Sequence, residues 1–292
     1  PHTGYGESCA SCGLIFFQHR LQRTYADARY AHVLEQTLYN GLLGSVDLEG
    51  KNFTYQNSLD SSAVRYSWHG CPCCVGNIPR TLLRLPTWIY SRGDDSVYVN
   101  LYVGSQIQLG DLELIQVTDY PWRGKVTLIV NPATSRRLAI KLRVPDPDVS
   151  QLYRSTPLAK GLLSITVNGE AITPKVESGY AVITRQWVAG DRIELELPLE
   201  VQRVHAHPSV EAAADRVALR RGPIVYNLES VDQDVEGVLP ASAPLTAEWQ
   251  PTLLGGVMAI KGTFASGKPL LAVPNYARLN RGGRSLVWVR EK

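Results

Sequence analysis

Two hydrophobic periods divide the chain. Over residues 7–45, Leu14, Phe17 and Leu21, and then Tyr30, Leu34, Leu38 and Leu42, recur at three- and four-residue steps. That spacing places apolar side chains on one face of a helix. It predicts two helices, with Gly13 interrupting the first near its start and Gly41 and Gly44 marking the end of the second. Residues 46–66 read as loop and short strands around a turn at Asp47-Leu48-Glu49-Gly50. Another helix is predicted over residues 77–90, with Asn77 as its N-cap, Pro79 in its first turn, and Pro86 kinking or ending it.

Beyond Asp95 the period changes to two. Val97, Val99, Leu101 and Val103 alternate with Tyr98, Asn100 and Tyr102, and similar runs cover 112–117, 126–130, 138–144, 163–167, 180–184 and 193–197. Turns rich in Gly, Pro and Asn separate them, which predicts an antiparallel sandwich with one wet face per sheet. A second β-rich segment starts near Val201, with strands at 217–219, 222–226 and 286–289; residues 231–250 read as a long connection. The expected fold class is therefore α+β and multidomain: a helical part at 1–90, a β-sandwich at 91–199 and a second at 200–292. The helices have apolar faces that call for further helices, so residues 1–90 read as the tail of a larger helical domain.

Composition narrows the function classes. Hydrophobic residues make up 44% and charged residues 20%, and the net charge of +3 comes from Lys and Arg scattered among acidic residues. This argues against nucleic acid or a membrane as a partner recruited by charge. No apolar run is long enough to span a bilayer. The five cysteines are an odd number gathered in the first quarter of the chain, which suits a metal or a reactive thiol better than a disulfide scaffold. Thiolate ligands favour a reducing compartment, so a cytoplasmic location is expected.

Three of those cysteines lie in the stretch W-H-G-C-P-C-C-V-G-N-I-P-R at 68–80. Cys73 and Cys74 are adjacent, poorly placed to bridge each other and well placed to hold one soft ion. Zinc and similar ions take four ligands from Cys, His and carboxylate. Cys9 and Glu7 can supply the third and fourth, with Cys71 and His69 as spare candidates. The spacing is not that of a zinc ribbon, so the site would be assembled from distant segments. Three readings stand at this point: a structural metal, a metal-thiolate offering one sulfur as a nucleophile, or buried free cysteines. Cys12 reads as a small buried residue, and His205 and His207 as two surface histidines sharing a strand face. The sequon Asn52-Phe53-Thr54 matters only if the protein is secreted.

Several motifs together resemble one enzyme group. G-E-S-C-A-S at 6–11, Y-N-G at 39–41, F-T-Y-Q-N at 53–57 and W-x-x-C-P-C-C-x-x-N at 68–77 are similar to the zinc-dependent β-L-arabinofuranosidase family of glycoside hydrolases. G-D-R-I-E-L-E-L-P at 190–198 and A-L-R-R-G-P-I-V-Y at 218–226 resemble that family's β domains. The resemblance implies the C-terminal remnant of an (α/α)6 barrel at 1–90, followed by two antiparallel β-sandwich domains. It implies Zn2+ held by Glu7, Cys9, Cys73 and Cys74, with Cys73 as the nucleophile. The Cys73 thiolate would attack the anomeric carbon and form a thioglycosyl intermediate that water hydrolyses with retention. Tyr55 and Trp68 would contact the sugar.

The family's general-acid glutamate would precede Pro1, so the chain resembles a C-terminal portion and is expected to be inactive alone. Its implied partners are a small carbohydrate and the missing N-terminal part of the barrel, and a homodimer is compatible with both. One departure is Val75-Gly76, where the family often has two prolines; it predicts a softer loop there. The competing class is a non-catalytic carbohydrate-binding or scaffold protein with a structural zinc, and a thiol redox or metal-storage role ranks third.

Overall fold

The computed structural model describes residues 4–146 and 150–292, and the start at Pro1 lies outside them. The helical part holds α1 (Ser8–Tyr25), α2 (Ala28–Thr37), α3 (Cys73–Leu82) and α4 (Pro86–Ile89). The chain leaves α2 through a π turn at Leu38–Leu42 and a 3-10 turn at Leu43–Ser45. Leu34, Leu38 and Leu42 are buried, as their spacing predicts.

The first helix departs from expectation in two ways. It runs unbroken through Gly13, where an added Cβ would meet open space. Its buried face is Ser8, Cys12, Ile15, Gln18 and Gln22, whereas Leu14 and Phe17 are exposed. The reason is what α1 packs on. The neighbours it has among the described residues are α2, α3 and the π turn, and Gln22 hydrogen-bonds into the first sandwich, donating to Asn100 Oδ1 at 3.0 Å and Tyr180 Oη at 3.3 Å.

The third helix begins four residues earlier than predicted. Pro72 occupies its N-cap, so Cys73 and Cys74 open the first turn and Asn77 lies inside the helix. Pro79 is then an interior residue whose absent N–H leaves the Val75 carbonyl without its helical partner. Val75-Gly76 is helix, not loop. As expected, the helix stops short of Pro86, which opens the separate turn of α4.

Two sheets sandwich the first β core. One runs in spatial order Glu170–Ala171, Ser164–Val167, Asp191–Glu196, Lys125–Pro132, Leu112–Thr118, Ser105–Leu109. The other runs Lys175–Glu177, Tyr180–Trp187, Arg136–Arg143, Ser96–Val99, Tyr90–Arg92. Pairing is antiparallel except between Ser96–Val99 and Arg136–Arg143, which run parallel. Leu114, Val126 and Leu128 of the first sheet and Ile140, Leu142 and Trp187 of the second share one core. The alternation at 97–103 outlasts its strand: after Val99, the Asn100 N–H bonds to Ile89 O at 2.8 Å and Leu101 turns into the helical core.

The last third forms a branched eleven-stranded sheet that recruits Tyr153–Thr156 and Asp60–Ser61 from the preceding parts. Residues 231–250 are not a plain connection. They hold Val238–Leu239, paired parallel to Val289–Glu291, and Thr246–Gln250, paired to Val257–Thr263. Their polar composition hid them because Thr246–Gln250 is an edge strand that is mostly exposed.

One glycine is fixed by close approach. A Cβ at Gly124 would lie 2.3 Å from Leu197 O, across the hydrogen bond from Leu197 N to Gly124 O at 2.9 Å. Gly124→Ala is expected to cost about 1–3 kcal/mol, the range for overpacking, measured as a shift in chemical-denaturation midpoint; an unchanged midpoint would contradict this crossing.

Candidate metal and active site

Two helix N-termini meet at the site. Glu7 is the N-cap of α1 and Cys9 lies in its first turn; Cys73 and Cys74 begin α3. Both ends carry the positive pole of a helix dipole, which favours thiolate and carboxylate there. The Glu7 side chain makes no capping hydrogen bond to its own helix and turns to the sulfurs instead. A short bridge holds this start in place: Ser8 N donates to Tyr55 O at 2.9 Å, and Glu7 pairs with Gln56.

The ligand atoms of Glu7, Cys9, Cys73 and Cys74 all lie within 4.8 Å of one another. Cys9 Sγ is 3.3 Å from Cys74 Sγ, Cys73 Sγ is 3.7 Å from Cys74 Sγ, and Cys73 Sγ is 3.5 Å from Glu7 Oε1. A tetrahedral ion with metal–sulfur bonds of about 2.3 Å and a metal–oxygen bond of about 2.1 Å would set S···S at about 3.8 Å and S···O at about 3.6 Å. The donor set therefore fits a four-coordinate soft divalent metal with small adjustments. Among the described residues it is the only such group.

Outer groups support it. Asn77 Nδ2 donates to Cys9 Sγ at 3.0 Å, and Tyr5 Oη donates to Glu7 Oε2 at 2.9 Å. The Tyr5 hydrogen bond is the largest influence on the Glu7 carboxyl, whose pKa falls below the usual range. Burial pushes the Cys74 thiol well up. Such a thiol stays protonated at neutral pH unless a cation replaces its proton. Hydrogen bonding to Tyr5 and then burial keep the Tyr55 hydroxyl protonated far above its ordinary range.

The spare candidates fall outside the group. His69 Nδ1 accepts the Cys71 N–H at 3.1 Å, and its ring stacks on Tyr55 at 4.6 Å and Tyr66 at 5.4 Å between centroids. Cys71 is exposed, with its sulfur 3.6 Å from that of Cys73. Trp68 is 66% exposed, so it is not a core residue. Cys12 is buried, and burial raises its thiol pKa. His205 is tied to Glu291 through Nε2 at 2.5 Å rather than to a metal. Asn52 donates to Asp47 Oδ2 at 2.7 Å.

Sequence reasoning missed Tyr5, Asn57 and the true place of Asn77. The available signal was that both asparagines sit inside the two quoted motifs that also surround the ligands.

Comparison with known proteins agrees with this geometry. The β-L-arabinofuranosidase catalytic-domain model of family GH127 matches residues 1–87, its middle-domain model matches 96–199, and the family's C-terminal domain model matches 201–290. The chain belongs to glycoside hydrolase family 127. It is 30% identical over 284 residues to a non-reducing end β-L-arabinofuranosidase of Bifidobacterium longum, an alignment covering 87% of the chain and 41% of that protein. A family 127 β-L-arabinofuranosidase structure from Geobacillus stearothermophilus T6 superposes with a TM-score of 0.89 at 36% identity, over 99% of this chain and 50% of that one. A second family 127 β-arabinofuranosidase structure gives 0.91 at 33% identity, again over 99% and 50%. The family 127 chain thus spans about half the length of these relatives or less. Among its described residues, no helix is long and apolar enough to cross a membrane.

Proposed function

We propose that this chain carries the nucleophile of a retaining glycoside hydrolase acting on β-L-arabinofuranosides. Glu7, Cys9, Cys73 and Cys74 would hold Zn2+. The convergence of these four donors from the starts of α1 and α3 carries the reading. When bound, zinc keeps a coordinated thiol deprotonated at neutral pH.

Cys73 is the sulfur suited to attack. Cys74 is fully buried, and Cys9 accepts the Asn77 amide, whereas Cys73 is half-buried and borders the exposed Cys71. Its thiolate forms the C–S bond at the anomeric carbon as the glycosidic C–O bond breaks, with a general acid protonating the departing oxygen. Water then displaces the sulfur from the same face, so configuration is retained. The Tyr55 hydroxyl donates towards the sugar, and the exposed Trp68 indole offers a stacking face. None of the motif positions in this chain supplies the acid, so it would come from a more N-terminal part of the barrel. Exposed Leu14, Phe17 and Tyr25 on α1 are apolar surface that neighbouring barrel helices would cover. Boundaries near residues 90 and 199 would then separate the barrel portion from the two β domains.

Site-resolved iodoacetamide labelling tests the assignment. With zinc bound, Cys73 is expected to react at least tenfold faster than Cys9 and Cys74, with exposed Cys71 reacting in both states. Stripping the metal should expose Cys9 as well. Equal protection of Cys73, Cys9 and Cys74 until zinc is removed would make the site structural.

A further inference from the structure

Arg278 lies just past the 3-10 turn Asn275–Ala277, far from the ligands in sequence, and is only 2% exposed. No carboxylate among the described residues partners it. Burial, and then the neighbouring Arg65 charge, lower its pKa to about 10, so it remains a cation at neutral pH. Its Nη2 donates to Asn57 Oδ1, while Nη1 is buried without a partner. A buried cation whose side-chain acceptor is one amide oxygen is costly, and its location connects it to the metal ligands.

Asn57 is the hub. Its Oδ1 also accepts from Thr54 Oγ1 at 3.0 Å, while its Nδ2 donates to Ser8 Oγ at 2.9 Å and Ser45 Oγ at 2.8 Å. Its backbone N–H donates to Gly6 O at 2.8 Å. A guanidinium has only donors, so it obliges Asn57 to present oxygen to it and therefore nitrogen to Ser8. Ser8 is fully buried, passes its own proton to Thr54 O at 2.6 Å, and stands between Glu7 and Cys9. Gly44 makes room for this arrangement: a Cβ there would lie 2.7 Å from Arg278 Nη1.

We propose that Arg278 is a positioning residue for the metal-ligand turn: by fixing the amide orientation of Asn57, it locks Ser8 and thereby sets Glu7 and Cys9 in register with Cys73 and Cys74. The C-terminal sheet region thus helps build the site in the helical part. The inference rests on the metal reading above.

The test uses the whole 292-residue chain and Co2+ as the probe, with affinity measured by chelator competition and the thiolate-to-cobalt absorption recorded. Arg278→Met is expected to weaken Co2+ binding about 10–100-fold, the range for outer groups that orient ligands, and to broaden the absorption. Arg278→Lys should recover part of both. Arg203→Met is the control; that arginine pairs with Glu291 in the same sheet and does not touch Asn57. It should lower the thermal midpoint and leave affinity unchanged. If Arg278→Met does not fold, Gly44→Ala decides, because it displaces the guanidinium while keeping the charge. Wild-type affinity and spectrum in Arg278→Met, or in Gly44→Ala where it decides, would overturn the proposal alone. A wild-type chain that fails to bind Co2+ overturns it together with the metal reading.

Discussion

Cys74→Ala should strip the metal. Four-ligand zinc sites bind with apparent free energies of about 10–16 kcal/mol, or about 3–4 kcal/mol per ligand when shared evenly. Losing one buried thiolate therefore predicts a drop of two to three orders of magnitude in affinity, at about 1.4 kcal/mol per decade. Cys74 is the right residue to remove because its sulfur is fully buried and lies 3.3 Å from Cys9 and 3.7 Å from Cys73. Without it the remaining three donors cannot close the tetrahedron. Chelator competition and metal content per chain measure the loss. Retention of wild-type affinity would mean that the four side chains converge for packing and do not form a site. The matching change at Cys71 should cost little, since that thiol is exposed and outside the donor group.

Arg143→Met is expected to be the most destabilising single change away from the site. The Arg143 side chain is 1% exposed and that of Glu35 is 6%, with Nη2 and Oε1 2.5 Å apart. Arg143 also reaches His32 Nδ1 at 2.8 Å and Asn100 O at 2.5 Å, and its own carbonyl accepts from Tyr102. This one side chain joins α2 to a central strand of the first sandwich. Burial already raises the Glu35 carboxyl, against the opposing charge of Arg143. Removing the cation leaves that carboxylate alone in the interior, a loss of about 3–5 kcal/mol. The double change Arg143→Met with Glu35→Met should recover much of it, because a buried ion pair and a well-packed apolar pair are often near-equal. Chemical denaturation followed by tryptophan fluorescence reads both. A loss below about 1 kcal/mol in the single variant would show that the ion pair is not what ties the two parts together.

The sequence was most legible where one physical signal dominated. Strands such as Lys125–Pro132 and Arg136–Arg143 alternate because one side of each faces a dry core. Those runs were readable without knowing their partners. Leu34, Leu38 and Leu42 were readable for the same reason. On α1, periodicity selected Leu14 and Phe17, yet the face packed within these residues is the one bearing Ser8, Ile15 and Gln22. Periodicity reports apolar positions; it does not say which neighbour covers them. The start of α3 was misplaced because Asn77 is a good cap by composition, while the actual cap position holds Pro72, which offers no side-chain acceptor.

The four donors could be named from residue type, motif and resemblance, since soft thiolates and a carboxylate are chemically distinctive wherever they stand in the chain. Their outer support could not. Asn57, Asn77, Tyr5 and Arg278 are ordinary polar residues until the fold brings them within hydrogen-bonding distance. Arg278 lies 221 positions from the asparagine it orients. By itself the sequence determined which atoms can bind a metal and which runs form the β cores, because ligand chemistry and side-chain alternation are local. Only the tertiary structure decided how those ligands are held, because hydrogen-bond direction and close approach arise between segments that the sequence keeps apart.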